Sequence, residues 1–401
     1  MSGHFSTEET DYWDTAIRIH ELNEIGSREF ESSKLLINVL RTHGFTIKER
    51  FMDIPTAFKA EKQVGNGRPS IAFLAEYDAL PGIGHACGHN LIASSAVFSA
   101  IKASEKITNG TISVIGTPDE EGSGEWAGSK IIMADRGAFR NVDLVLGSHP
   151  GDRWSVGDQS LAVQDFEITF TGKAAHEAAS PNEGRSALDA AILTYNAVNM
   201  MRQHVRRDAN FVMHGIIKDG GTASNVTPEK SVITYGIRTS DLVYHDELVK
   251  RFKKIVEGCA IATETSYSIK KIGPLFSTTK INRTLSNRIR NNLINEGIDC
   301  LTLEETFSEL PKGSTDFANV SQVVPALEVG FQIAPEGTPW HSRQSLEAAK
   351  TKRAKESLFT IITVLSQTAK EFTEDRKFRE DVARDFNSTW KSFQIMEQSH
   401  G

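Results

Sequence analysis

The sequence predicts an α/β protein whose mainly parallel sheet is interrupted by a smaller, inserted α+β domain. Up to residue 164 and again from 281, apolar stretches of strand length alternate with helical stretches, which is the order typical of largely parallel sheets. Polar residues follow these strands, so we expect a functional site along the carboxyl edge of the sheet. In between, apolar and polar residues alternate from Ala162 to Gly172, which indicates a half-exposed antiparallel strand. We therefore predict one domain at 1–164 and 281–401 and a second at 165–280.

The predicted strands of the larger domain are apolar runs bounded by glycine, proline or charged residues. They lie near Phe45–Arg50, Ala57–Val64, Ile71–Ala75, Thr111–Thr117, Val142–Gly147 and Ala326–Gly330. The predicted helices have apolar residues at helical spacing. They lie within 9–43, at Leu91–Ala103 and at Asn282–Glu296. The charged tail from Glu371 to Asp385 indicates a solvated helix.

The inserted domain is predicted to be an antiparallel sheet with two helices. Its strands lie at Ala162–Gly172, Asn210–Ile217 and Ser231–Thr239, and its helices at Arg185–Gln203 and Asp246–Ala262. The turn Asp219-Gly220-Gly221 separates the second strand from the third. Two helices on one face of such a sheet make a compact unit within the usual size range of a domain.

Length and composition are those of a globular protein. The 401 residues allow two domains by the rough prior of about 150 residues each, and 39% hydrophobic content is ordinary. The net charge of -7 gives no reason to expect nucleic acid or an anionic membrane as a partner. Three cysteines are too few for a disulfide framework and favour a reducing compartment. The polar N-terminus has no apolar signal core, and no run of about 18 apolar residues occurs, so we expect a cytoplasmic protein.

The strand at Ile71–Ala75 leads into the charged residues Glu76 and Asp78 and then into a loop with three metal-binding side chains, which are His85, Cys87 and His89. Imidazole and thiolate suit zinc and similar ions, so the loop predicts metal chemistry at the end of this strand. Taken alone, a cysteine is most often a small buried hydrophobic residue, and the stretch is also compatible with a closed structural zinc site.

Further donors follow other predicted strands. They are Glu120, Glu121, His149 and His341. Taken alone, the glutamate pair would indicate a solvated turn, and each histidine a hydrogen-bonded loop residue. Together with Cys87 and His89 they predict an open catalytic site. One carboxylate of an adjacent pair can bind a metal while its neighbour removes a proton from metal-bound water.

Several segments of the chain carry motifs in a definite order. They are HACGHN (85–90), the pair Glu120-Glu121, Ser-His-Pro (148–150), GKAAHEAASPNEGRSALDA (172–190), GGTASNVTPEK (220–230), GSTDFANVSQVVPA (313–326) and Pro-Trp-His (339–341). From about Ile71 to Ala348 the series resembles the dinuclear-metal aminoacylase/carboxypeptidase family. The most similar branch contains auxin-conjugate hydrolases, p-aminobenzoyl-glutamate hydrolase and aminoacylase-1-like dipeptidases. The resemblance implies a catalytic α/β domain interrupted by a lid domain, through which two subunits form a homodimer.

The resemblance also implies roles for the donors. The residues that match ligands of two divalent metal ions, zinc or manganese, are Cys87, His89, Glu121, His149 and His341. Which of them bridges the metals is left open. Glu120 matches the general base, which acts on a water that bridges the metals. Asp78 matches a carboxylate that orients a ligand from behind, although alone it would indicate a strand-end cap. Glu76 stands where many members have a histidine ligand, so the first ligand is expected from the Cys87 loop, with His85 as a neighbour that shapes it.

Residues of the inserted domain match the family as well. His176 matches a histidine that stabilises the oxyanion in the active site of the partner subunit, and Asn225 and Arg238 match residues that bind the substrate carboxylate. Without the resemblance, His176 would be a structural loop histidine and Arg238 an ordinary strand residue. His214 either faces the cleft or is a surface residue. The loop from Gly313 to Asp316 departs from the usual Glu-Asp pair, which leaves its contribution to the substrate pocket open.

The predicted function is that of a metal-dependent amidohydrolase that cleaves the amide bond of an N-acyl or N-aminoacyl amino acid. The alternative within enzymes is a metallo-dipeptidase or aminopeptidase. A catalytically silent ligand-binding protein is the alternative outside enzymes, and the intact Glu120 argues against it, since binding alone needs no base. The negative net charge and the dipeptidase-like relatives hint at a basic amino acid in the substrate.

Overall fold

The structure of the protein is a computed structural model that describes residues 7–308 and 313–398. Residues 1–6, which begin the polar N-terminal segment considered above, lie outside the described part. The strands are β1 (Thr46–Glu49), β2 (Phe58–Val64), β3 (Ser70–Ala75), β4 (Gly110–Gly116), β5 (Leu144–Gly151), β6 (Ser155–Val156), β7 (Ala162–Thr171), β8 (Val212–Asp219), β9 (Lys230–Thr239), β10 (Ser266–Phe276) and β11 (Ala326–Gln332).

Helices flank these strands and connect several of them. They are α1 (Thr7–Leu22), α2 (Phe30–Thr42), α3 (His89–Lys106), α4 (Ser129–Asp135), α5 (Ala187–Met201), α6 (Leu242–Ala262), α7 (Arg283–Asn295), α8 (Leu303–Ser308), α9 (Phe317–Val323), α10 (Arg343–Ala348), α11 (Lys352–Glu374) and α12 (Arg376–Gln398). Among the described residues, no helix combines the length and the apolar character needed to cross a membrane.

The chain divides into two compact units. The larger unit comprises Met1–Gln159, Thr279–Glu309 and Thr315–Gly401, and the smaller unit comprises Ser160–Thr278 with Leu310–Ser314. The inserted domain predicted at 165–280 lies in the same part of the chain as the smaller unit. Each unit has its own sheet and its own apolar core.

The larger unit is built on a seven-stranded sheet in the order β1-β2-β4-β3-β5-β11-β6. The central strands β4, β3, β5 and β11 run parallel to one another, while β1, β2 and β6 pair antiparallel at the sides. This arrangement confirms the predicted fold class. Because the carboxyl ends of parallel strands lie at one edge, the loops that follow β3, β4 and β5 open on the same side of the sheet.

Strand β3 explains why this sheet is covered on both faces. All of its residues are buried, as expected for a strand in the middle of a parallel sheet. Ile71 and Phe73 belong to the core that includes buried side chains of α3 and α11. Ala72 and Leu74 point to the opposite face and belong to a second core with α4 and α9. The strand therefore anchors the residues that follow it between two layers of helices.

The smaller unit has a four-stranded antiparallel sheet in the order β10-β7-β9-β8. Its core is formed by buried side chains of the sheet, α5 and α6. Sequence patterning predicted three of these strands and missed β10. Lys270, Lys271 and Gly273 interrupt the pattern of β10, and most of its residues are exposed, so burial leaves little signal in that segment.

The prediction of a solvated charged tail is wrong for one face of that segment. It forms the end of α11 and the start of α12, where Phe372, Phe378 and Val382 are buried. The rings of Phe372 and Phe378 meet edge to face at 5.8 Å. The many charged residues lie on the other side of these helices and mask the apolar stripe in the sequence.

Candidate active site

The carboxyl end of β3 supplies the first donors. Glu76 and Asp78 follow β3 directly, and both side chains are buried. The chain then loops back so that α3 begins at His89, two residues after Cys87. Asp78 accepts a hydrogen bond from Nδ1 of His89 at 2.8 Å. The strand end and the helix start are thus joined through the donors themselves.

Gly88 lets this loop pass close to β5. Its φ is 78°, and a Cβ at this position would lie 2.5 Å from Cγ of Pro150, so only glycine fits without a shift of β5. His149 precedes Pro150 and donates a hydrogen bond from Nδ1 to the Pro150 carbonyl at 2.8 Å. Its Nε2 is therefore the acceptor nitrogen of a neutral ring, and it lies 3.4 Å from Sγ of Cys87.

The loop after β4 carries Glu120 and Glu121, and Asp119 holds it in place. Asp119 is fully buried and has a left-handed φ of 58°. Its carboxylate accepts hydrogen bonds from the Ser27 hydroxyl (2.6 Å) and from two backbone N–H groups of the same loop (3.0 Å each). Its own N–H donates to Glu29 at 2.9 Å. The conformation that aims the two glutamates is thus fixed by contacts with the segment between α1 and α2.

His341 comes from a different part of the chain, just before α10. It has a left-handed φ of 55°, and its side chain is 49% exposed. Ser342 caps α10 by accepting hydrogen bonds from two N–H groups of the first turn, which fixes the chain direction directly after His341. Nε2 of His341 lies 3.6 Å from Oε1 of Glu121.

The predicted metal donors therefore come together at one edge of the larger unit. In three groups the donor atoms lie within 4.8 Å of one another: Cys87, His89 and His149; Cys87, Glu121 and His341; Glu76, His89 and Glu120. Glu76 was not predicted as a donor. His85 belongs to none of these groups, and its buried ring lies 5.8 Å from that of His20.

Asp78 determines which nitrogen of His89 faces the other donors. One carboxylate oxygen accepts from Nδ1 of His89, and the other accepts from the backbone N–H of Glu121 at 3.0 Å. Burial by itself lowers the pKa of His89, but Asp78 and Cys87 raise it well above its usual value. Asp78 thus orients a histidine and a glutamate at once, as a supporting carboxylate behind a metal ligand does.

The donors fit divalent metal ions. Oε2 of Glu76, Nε2 of His89 and Oε1 of Glu121 are buried and have no hydrogen-bond partner among the described residues. Burial raises the pKa of the Cys87 thiol to about 12, so a nearby cation is what would favour its thiolate form. The separations of 3.4 Å and 3.6 Å given above resemble the distance of about 3.4 Å between two ligands of one tetrahedral ion.

Glu120 lies beside these donors with a side chain that is 13% exposed. Its Oε2 is 3.7 Å from Nε2 of His89. Burial and the charge of Glu76 raise the pKa of Glu120 well above its usual value. A raised carboxyl pKa suits a group that must take up a proton and release it again.

The remaining predicted residues lie in the smaller unit. His176 and Asn225 are exposed on two loops that are joined by a bridge between His176 and Val226. Arg238 lies on β9, is partly buried, and its Nη1 is 3.5 Å from the Ser314 hydroxyl. These residues therefore belong to another unit than the metal donors. His214 is exposed on β8.

Sequence reasoning assigned no role to Lys130 and Asp316, which lie next to Glu76. Lys130 is fully buried, and its Nζ contacts Glu76 at 2.8 Å and Asp316 at 2.5 Å. The signal available in the sequence was a single lysine directly before the apolar run of α4. Such a residue usually lies at the surface, so the pattern alone does not identify it.

Comparisons with known proteins identify relatives of this chain. A model of the peptidase family M20/M25/M40 matches residues 72–370. The Xaa-Arg dipeptidase of Mus musculus is 34% identical over 356 residues, which cover 86% of this chain and 80% of that protein. One of the subunits of the p-aminobenzoyl-glutamate hydrolase of Escherichia coli (strain K12) is 33% identical over 308 residues, covering 71% of this chain and 62% of that protein.

Solved structures share the fold. A putative aminohydrolase from methicillin-resistant Staphylococcus aureus has a TM-score of 0.76 and 18% identity, over 92% of this chain and 97% of that one. A dinuclear metal-binding peptidase of the M20 family from Bacillus subtilis has a TM-score of 0.72 and 19% identity, over 92% of this chain and 100% of that one.

Proposed function

Because this chain belongs to the peptidase family M20/M25/M40 and is a metal-dependent hydrolase of amide bonds, we propose that it is a dipeptidase that prefers a basic carboxyl-terminal residue. The observation that carries the reaction type is the position of Glu120, a largely buried carboxyl beside a cluster of metal donors. The preference rests on the extent of similarity to the Xaa-Arg dipeptidase, which spans most of both chains. The net charge of -7 is compatible with a cationic substrate.

The residues that would hold two divalent ions, zinc or manganese, are Cys87, His89, Glu121, His149 and His341. When bound, such ions polarise the amide carbonyl and make water a better acid. The thiolate and imidazole donors favour zinc, while the carboxylate and imidazole donors also admit manganese. The free, buried state of Cys87, Cys259 and Cys300 supports a reducing location such as the cytoplasm.

In this proposal Glu120 moves the proton. It takes one proton from the attacking water and later gives it to the nitrogen of the departing amino acid, while the amide C–N bond breaks. The water oxygen and its other hydrogen stay with the new carboxyl group, which loses that proton to solvent at neutral pH and becomes a carboxylate. The partial burial of Glu120 supports this role, because a carboxyl in a low-dielectric site accepts a proton at neutral pH more readily than an exposed one.

We assign Asn225 and Arg238 to the substrate carboxylate and His176 to the oxyanion that forms at the carbonyl. Arginine suits a carboxylate because it can donate two parallel hydrogen bonds. The N–H of Ala178 donates to Nδ1 of His176 at 3.2 Å, which leaves the hydrogen of a neutral ring on Nε2. Nε2 is then a donor of the kind that an oxyanion requires.

We propose a homodimer that forms through the β8 edge of the smaller unit. Within the described residues, β8 pairs only with β9, and its Ile216 is 62% exposed. The opposite edge, β10, carries Lys270 and Lys271, which protect an edge against pairing with another chain. Ile216→Lys should convert the dimer to a monomer in sedimentation velocity. The matched change Ile272→Lys on β10, where the isoleucine is 43% exposed, should leave the dimer intact.

The reaction type is tested with Glu120→Gln. The variant should retain both metal ions, measured by elemental analysis, and should lose at least about 100-fold in kcat, the range expected for a general base. Glu125→Gln, a nearby exposed glutamate of the same loop, is the matched control and should behave like the wild type. Unchanged turnover in Glu120→Gln would rule out its role as the base.

The substrate is tested with a panel of dipeptides ending in Arg, Lys, Leu or Glu and the matching N-acetyl amino acids. The proposal expects the highest kcat/KM for dipeptides ending in Arg or Lys. Faster hydrolysis of the N-acetyl amino acids would favour an aminoacylase instead.

For His176, mixing His176→Ala with Glu120→Ala subunits should restore some activity, because one of the two sites in the mixed dimer then has both groups. No recovery in a confirmed mixed dimer would remove the role across the subunits.

A further inference from the structure

A fully buried lysine lies behind the metal donors. Nζ of Lys130 contacts Oε1 of Glu76 at 2.8 Å and Oδ1 of Asp316 at 2.5 Å, and neither Lys130 nor Asp316 has any exposed side-chain surface. Asp316 also accepts the backbone N–H of Lys130 at 3.1 Å through its other oxygen. Asp316 thus holds Lys130 at both its main chain and its side chain, and Lys130 in turn holds Glu76.

Only one oxygen of Glu76 is used in this contact. The other, Oε2, is buried and has no hydrogen-bond partner in the part of the chain that the structure describes, and it lies 3.4 Å from Nε2 of His89. Since Nδ1 of His89 donates to Asp78, Nε2 of the neutral ring is an acceptor. Two acceptor atoms therefore face each other, and a cation or a proton is needed between them.

Stability alone does not explain this arrangement. Burying an ion pair costs as much desolvation free energy as the attraction returns, so such pairs are weak stabilisers of a fold. A buried acceptor without a partner adds a further cost. An ion bound between Glu76 and His89 would remove that cost. The separation of 3.4 Å equals that between Cys87 and His149, which form another donor pair of the same cluster.

We propose that Glu76 is a further donor of the metal centre and that Lys130 is a positioning residue that aims it. The proposal rests on the metal centre proposed above and extends it by two residues. Lys130 fixes one oxygen of Glu76, which leaves the other oxygen directed at the ion that His89 binds. Asp316 fixes Lys130, so the chain of contacts runs from α9 through α4 to the end of β3.

The test measures metal affinity by competition with a chelator and metal content by elemental analysis. Glu76→Gln should weaken the affinity for one ion by about 10–100-fold, the range for residues that support a metal site, and should leave the other ion in place. Lys130→Met should weaken the same ion, because Glu76 loses its orientation. The double variant should be no weaker than Glu76→Gln alone, since Lys130 acts only through Glu76.

The double variant also guards against failure to fold. Lys130→Met leaves the buried carboxylates of Glu76 and Asp316 without their cation, whereas Lys130→Met with Glu76→Gln removes one charge of each sign. Glu328→Gln is the control for replacing a partly buried carboxyl by an amide. Burial raises the pKa of Glu328 to about 8, so glutamine mimics its main form at pH 7 and wild-type metal affinity is expected.

Each outcome separates the two proposals. Absence of tightly bound metal in the wild type would overturn the proposed metal centre. Two ions in the wild type and unchanged affinity in Glu76→Gln would overturn only the role of Glu76. Equal losses in Glu76→Gln and Glu328→Gln would show a general effect of buried polar groups and would also overturn it. Additive losses in the double variant would remove Lys130 as a positioning residue.

Discussion

Replacing Asp78 by asparagine isolates the contribution of one carboxylate to the metal centre. Asp78 accepts from Nδ1 of His89 at 2.8 Å and from the backbone N–H of Glu121 at 3.0 Å. Asparagine keeps the shape but has only one oxygen. Whichever way the amide turns, an NH2 group then faces either the histidine or the backbone N–H, so one buried donor loses its acceptor.

The size of the effect follows from these two hydrogen bonds. A buried donor left without an acceptor costs about 1–3 kcal/mol. Because a factor of ten in binding corresponds to about 1.4 kcal/mol, metal affinity should fall by roughly 10–100-fold. If the amide turns its NH2 group toward His89, the ring is pushed to the other tautomer, whose Nε2 carries a hydrogen and cannot bind a metal.

The assay is metal affinity by chelator competition, with circular dichroism to verify folding. Asp143→Asn is the matched control, because Asp143 accepts the N–H of Ser70 at 2.7 Å at the opposite, amino end of β3. It should lower stability without changing metal affinity. If Asp78→Asn binds both ions as tightly as the wild type, Asp78 does not support the site and the reasoning from the hydrogen bonds is wrong.

Further predictions concern the base loop, the pH dependence and the tail. Asp119→Ala removes the acceptor of three hydrogen bonds in the loop that carries Glu120. It should lower kcat at least tenfold by misplacing Glu120, and it should lower the free energy of unfolding by about 3 kcal/mol. A wild-type kcat would show that the loop keeps its conformation without the Asp119 carboxylate. Burial and the charge of Asp78 raise the pKa of Glu29 to about 7, so the folded state binds this proton more tightly than the unfolded state. The contribution of Glu29 to the free energy of unfolding is therefore complete below about pH 4.5 and is lost as the pH rises through 7. In urea unfolding, the free energy of unfolding of Glu29→Gln should decrease less between pH 5 and 8 than that of the wild type. Phe378→Ala should cost about 3–5 kcal/mol in urea unfolding, whereas a solvated tail would give almost no change.

The sequence was most informative where a residue type has one dominant use. Cys87 and His89 close together after an apolar strand indicated metal chemistry, and the alternation in β7 indicated a half-exposed strand. The charged segments were the least informative. β10 was missed because Lys270, Lys271 and Gly273 interrupt its pattern and most of its residues are exposed. The tail was taken as solvated because its charged residues mask the apolar residues that face the core.

Local pattern alone determined that strands and helices alternate, that the donors follow strands, and that a carboxylate pair stands among them, because these properties depend on neighbours in the chain. Only the tertiary structure decided which strands pair: β2 and β3 are consecutive, yet β4 lies between them. It alone brought Lys130 and Asp316, 186 positions apart, into contact beneath Glu76. A buried charge is favourable only when its partners are in place, and those partners come from distant segments whose distances the sequence does not contain.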